Sequence, residues 1–92
     1  MESLEAAAIR NYLREKRIKA LQNLMTLNGK YNSYLKELRE RRDIISKRRS
    51  TGEIGLREFW DARMNLEYQI GDIERKRDEV VKQIVTLFPK TK

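Results

Sequence analysis

The feature that most constrains the fold is an apolar heptad repeat in the second half of the chain. With Leu56 as position a, eight of the ten a and d positions over residues 56–87 are apolar. Such a repeat favours a long helix that buries one narrow stripe against another helix. Gly55 is a suitable N-cap and Pro89 a stop signal. The sequence therefore predicts a helix over residues 56–88.

The first half carries a second helical pattern with a less regular apolar face. The a and d positions of this pattern are occupied by Leu24, Leu27, Tyr31, Tyr34, Leu38 and Ile45. Two further leucines, Leu21 and Leu35, widen the apolar face beside them. Ser3 is a suitable N-cap, and the segment 50–52 (Ser-Thr-Gly) is a turn signal. These features predict a helix over residues 3–49 and a turn over residues 50–55.

The dipeptide Asn28-Gly29 lies inside the first predicted helix. Asn-Gly is a common turn signal, and glycine inside a helix costs roughly 1 kcal/mol. The apolar spacing nevertheless continues across the dipeptide without a skip. We expect one long helix in which this dipeptide is the point where a kink can form, and a loop here is the alternative.

Folding the two predicted helices about Gly52 brings apolar residues opposite one another along their whole length. Leu38 then faces Leu66, and Leu24 faces Val80. The predicted fold is all-α, with residues 1–92 forming a single domain in which two long helices make an antiparallel coiled-coil hairpin.

Two a positions of the second helix hold arginine instead of an apolar residue. In the predicted register Arg63 faces Asp43, which we expect to be its ion partner, and Arg77 faces Asn28. Polar residues at a positions lower stability but specify register and oligomer state. We expect both arginines to specify the helix pairing.

A two-helix hairpin leaves apolar side chains exposed at its base and along its second helix. Exposed apolar stripes usually mark an interface. We therefore expect self-association into a homo-oligomer, in the simplest case a helical bundle of two hairpins, or docking of a partner protein on the same faces. The residues predicted to mediate self-association are Leu4, Ile9, Leu13, Trp60, Met64 and Tyr68.

The positive charge is concentrated in the first half of the chain. Residues 1–52 carry 13 Lys/Arg and 6 Asp/Glu, whereas residues 53–92 carry 8 of each. Dense cations favour nucleic-acid backbones through counterion release. The predicted nucleic-acid-binding residues form a cluster before the turn: Arg39, Arg41, Arg42, Lys47, Arg48 and Arg49.

Catalytic and metal chemistry have little support in the composition. The chain has no cysteine and no histidine, so the usual zinc ligands and thiolate nucleophiles are missing. The acids between Asp72 and Glu79 alternate with Arg and Lys, a spacing typical of ion pairs on a solvated helix face. We expect a non-enzymatic protein without cofactor or metal, no membrane span because no apolar run is long enough, and a cytoplasmic location.

Two local patterns resemble known families. Segments 27–31 (Leu-Asn-Gly-Lys-Tyr), 38–42 (Leu-Arg-Glu-Arg-Arg) and 87–89 (Leu-Phe-Pro) resemble the N-terminal helical arm of seryl-tRNA synthetases. This resemblance, over residues 24–88, implies a basic hairpin that contacts the long variable arm of a tRNA, without aminoacylation. Segment 52–54 with Glu58, Phe59 and Leu66 is similar to short bacterial C-terminal oligomerisation modules, except that Gly55 replaces their usual Ser or Thr cap.

These observations favour a binding protein. We expect a non-catalytic basic hairpin that self-associates and contacts nucleic-acid backbones largely without sequence specificity, because no base-reading motif is present. The alternative is a protein-interaction or assembly module, such as an adaptor, a secretion or assembly factor, or a virion or filament subunit, with no nucleic-acid role.

Overall fold

The protein is a hairpin of two long helices. The computed structural model describes residues 3–88, and these form α1 (Leu4–Ser50) and α2 (Leu56–Leu87), which pack against each other. The molecule measures 76 × 20 × 19 Å. The predicted all-α hairpin is confirmed, and each helix bound lies within one residue of its expected position. Within residues 3–88, neither helix contains a stretch apolar enough to cross a membrane.

Helix α1 begins at a side-chain cap and continues past the Asn-Gly dipeptide. The hydroxyl of Ser3 accepts a hydrogen bond of 3.1 Å from the Ala6 N–H, as an N-cap serine does. Asn28 and Gly29 are both helical. The alternative of a loop at this dipeptide is therefore wrong, and α1 is about 70 Å long.

The turn depends on Gly52, whose φ of 79° lies in the left-handed region that glycine adopts without strain. The N–H of Glu53 donates to the Arg48 carbonyl at 2.9 Å, which closes the C-terminus of α1. At the other end of α2, Phe88 is extended (φ −70°, ψ 134°), the conformation favoured before proline. Pro89 itself lies outside the described residues.

The core is small and lies in the half of the hairpin near the turn. Leu35 and Leu38 of α1 pack with Leu66 and Ile70 of α2. Ile45 and Ile73 lie against this cluster, and Val80 is buried further toward the base. The facing of Leu38 and Leu66 agrees with the predicted antiparallel register.

Two predicted seam positions are wrong, Tyr34 of α1 and Leu56 at the start of α2, which is 56% exposed. Tyr34 was expected at a seam position but is 50% exposed, whereas Leu35, expected on the flank, is only 1% exposed. Arg42 is likewise less exposed than Arg41. Near the turn, the a positions of α1 are therefore Leu35 and Arg42. The face of α1 that packs against α2 is centred one residue later in the sequence than the predicted face.

Candidate nucleic-acid interface

Two of the six predicted nucleic-acid-binding residues form ion pairs between the two helices. Arg39 Nη2 lies 3.3 Å from Glu74 Oε1, and Arg42 Nη1 lies 3.2 Å from Glu67 Oε1. Both ion pairs join α1 to α2. These guanidiniums are partly exposed, so each pair contributes about 1 kcal/mol or less to stability. Their carboxylate partners also reduce the positive charge that they present to an anion.

The other four predicted residues divide into two groups. Arg41 pairs with Glu37 at 2.8 Å on its own helix, and Arg48 Nε lies 3.8 Å from Glu53. Within residues 3–88, Lys47 and Arg49 have no ion-pair partner. Lys47, Arg48 and Arg49 all lie in the last turn of α1, where their positive charges complement the negative end of the helix dipole. The turn end of the hairpin is therefore less cationic than its sequence indicates.

The polar seam positions are arranged differently from the prediction. Arg63 Nε lies 4.0 Å from Glu67 on its own helix, and within the described residues no ion pair joins it to Asp43. The predicted Arg63–Asp43 pair is wrong. Because Arg42 occupies the neighbouring seam position, the guanidiniums of Arg42 and Arg63 both approach the same oxygen of Glu67.

The second polar seam position contains a buried amide oxygen. Asn28 Oδ1 is buried and has no hydrogen-bond partner within residues 3–88. Arg77, which the register places opposite it, directs Nη2 to Asp78 Oδ1 at 3.3 Å. Further along α2, Asp72 forms ion pairs with Arg75 at 3.7 Å and Lys76 at 3.1 Å, as its spacing predicts.

A second basic region lies at the N-terminal end of α1, where it extends past the end of α2. Residues 10–19 contain five Lys/Arg and one acid, Glu15. Within the described residues Arg14, Arg17 and Lys19 have no ion-pair partner, and Lys16 Nζ lies 4.8 Å from the Tyr12 ring centroid.

The arginines of this region continue the interhelical seam. Counting back in heptads from Leu21 and Leu24 brings Arg14 and Arg17 to the seam positions. Both line one concave surface together with Arg10 and Leu13. The face that is apolar under α2 thus becomes cationic where α2 ends. The seam frame extended toward the N-terminus already places Arg10 and Arg17 on this face, but the predicted nucleic-acid-binding residues did not include this region.

The predicted self-association residues are all exposed. They belong to two separate surfaces: Leu4, Ile9 and Leu13 lie on the N-terminal extension, and Trp60, Met64 and Tyr68 lie along α2. Leu4 is 91% and Tyr68 72% exposed. The Trp60 ring makes an edge contact with Phe59, at 5.4 Å between centroids. Both surfaces are available to a partner.

Comparison of the chain with protein-family models, curated proteins and solved structures gave no match. The function is therefore inferred from the charges and surfaces of this chain.

Proposed function

We propose that this protein binds nucleic-acid backbones through α1 without reading base sequence. The observation that carries the proposal is the distribution of cations without ion partners. Leaving Arg10 aside, eight Lys/Arg of α1 form no ion pair within residues 3–88, against two of α2. The eight are Arg14, Lys16, Arg17, Lys19, Lys30, Lys36, Lys47 and Arg49.

The electrostatics favour a long anionic partner over a compact one. The free cations extend over most of the roughly 70 Å of α1, whereas only four acids of the described part of α1 lack an ion partner. Each cation that neutralises a phosphate releases condensed counterions, which supplies most of the affinity in non-specific binding. A two-helix hairpin without a base-reading element positions itself on phosphates and has no means to specify sequence.

The test compares removal of charge from α1 with equal removal from α2. The α1 variant carries Arg14→Gln, Arg17→Gln, Lys47→Gln and Arg49→Gln. The matched variant changes Arg57, Arg75, Lys76 and Lys82 to Gln. Affinity for a DNA duplex is measured by fluorescence anisotropy at about 50 and 200 mM salt.

The wild-type protein is expected to bind, with affinity that falls steeply as salt increases. The α1 variant should bind more weakly, and its slope of log affinity against log salt should decrease by about 0.9 for each lost phosphate contact. The α2 variant should retain most of the wild-type affinity. Absence of wild-type binding at the lower salt contradicts the proposal, and equal losses in both variants contradict the assignment to α1.

We also propose that the protein self-associates through its exposed apolar stripes. The stripe formed by Trp60, Met64 and Tyr68 repeats every four residues along α2, a spacing that presents one face to a partner helix. Light scattering should give a molar mass above the 11.0 kDa of one chain. Trp60→Ala with Met64→Ala should lower that mass, whereas Val85→Ala should not. A wild-type protein that stays monomeric at high concentration contradicts this part.

A further inference from the structure

An open notch lies at the step where α2 ends and α1 continues. Its volume is about 290 Å³, close to the lower limit for small-ligand sites. Both helices contribute to it, with two guanidiniums, three aliphatic side chains and one aromatic ring: Arg14, Arg17, Ile18, Leu21, Leu87 and Phe88.

The cationic side of the notch is free to bind an anion. Arg14 and Arg17 are three residues apart, so they are neighbours on one face of α1. Neither has an ion-pair partner within the described residues. A guanidinium presents a planar fork of donors that matches phosphate oxygens.

The apolar side of the notch offers a flat surface. Phe88 follows the last helical residue and is 51% exposed, so one part of its ring is accessible. Ile18, Leu21 and Leu87 complete the apolar lining beside it. Proteins that bind single-stranded nucleic acid combine these two elements, a cationic surface for the backbone and an aromatic ring for a base.

We propose that this notch holds one nucleotide of single-stranded nucleic acid, with its phosphate on Arg14 and Arg17 and its base stacked on Phe88. This inference rests on the proposed function and specifies the strand form that the notch prefers. A base in a duplex is paired and stacked on its neighbours, so it presents no free face to Phe88. An acidic protein segment would satisfy the arginines, but it would contact the Phe88 ring with a ring of its own only if an aromatic residue stood at the right spacing from its acids, whereas every nucleotide carries both groups.

The experiment measures the contribution of the Phe88 ring to binding separately from that of the two arginines. Single-stranded oligothymidine of about 16 nucleotides and a duplex of the same length are titrated with the wild type and Phe88→Ala. Val85→Ala is the matched control, because Val85 is an exposed apolar residue near the same end of α2 and lies outside the notch. Phe88→Leu tests whether apolar volume alone is sufficient. Circular dichroism verifies that each variant is helical.

Phe88→Ala and Phe88→Leu are expected to weaken single-strand binding by about fivefold or more, the loss of one base stack, and to leave duplex affinity unchanged. Val85→Ala should change neither. Arg14→Gln with Arg17→Gln should weaken binding of both strand forms and lower the single-strand salt slope by about 1.4.

Each failure has a distinct signature. A wild type that binds both strand forms, combined with a Phe88→Ala variant of unchanged single-strand affinity, overturns the nucleotide site and leaves the proposed function intact. Equal weakening of duplex and single-strand binding by Phe88→Ala assigns the ring a structural role and also overturns the site. A wild type that binds neither strand form overturns the proposed function and this inference together.

Discussion

Leu35→Ala is expected to destabilise the hairpin by about 2–5 kcal/mol. Leu35 is 1% exposed, and it packs with Leu38, Leu66 and Ile70 at the centre of the core. Only five apolar side chains of the described residues are buried. A loss of this size is therefore a large part of the roughly 5–15 kcal/mol that keeps a typical domain folded. Urea denaturation followed by circular dichroism measures the effect.

The neighbouring residue is the control for Leu35. Tyr34 lies one position earlier on α1 but is half-exposed, so Tyr34→Ala should cost less than about 1 kcal/mol. Both substitutions introduce alanine, which has high helix propensity, into the same helical turn. The difference between their losses of unfolding free energy therefore reports the difference in side-chain burial. A larger loss for Tyr34→Ala than for Leu35→Ala would mean that the seam of α1 runs through Tyr34.

The heptad pattern was sufficient to predict α2 and the register. Leu66, Ile70 and Val80 were expected at seam positions and are all buried. Leu66 and Ile70 have no apolar residue beside them in the sequence, and at Val80 the heptad frame chose correctly over Val81, which is 40% exposed. In α1 the adjacent Tyr34 and Leu35 are both compatible with a helical stripe. Periodicity within one helix could not distinguish them, because the choice depends on which side of α1 faces α2.

The candidate site was less predictable than the fold for a related reason. Local charge density indicated the cluster 39–49, but it could not show which cations already have partners. The partner of Arg39 is Glu74, on the other helix and 35 residues away in sequence. The notch at the base likewise combines residues from both ends of the chain, such as Arg17 and Phe88. Only the antiparallel fold brings them together.

Asn28→Leu is expected to stabilise the protein by about 1–2 kcal/mol. The Oδ1 atom of Asn28 is buried without a hydrogen-bond partner within the described residues, and such a group loses its hydration without compensation. Leucine removes this cost and adds apolar area to the seam. The measurement is the free energy of unfolding in urea. Asn32→Leu, at an exposed position of the same helix, is the control and should have little effect.

The same substitution tests why an amide occupies this seam position. A polar residue at an a position lowers stability but restricts register and oligomer state. The Asn28→Leu variant should therefore be more stable and less specific, with a broader distribution of molar mass in light scattering than the wild type. Loss of stability would instead mean that the amide forms a favourable hydrogen bond in solution. A gain in stability with an unchanged mass distribution would mean that the remaining polar seam positions, Arg42, Arg63 and Arg77, specify the register.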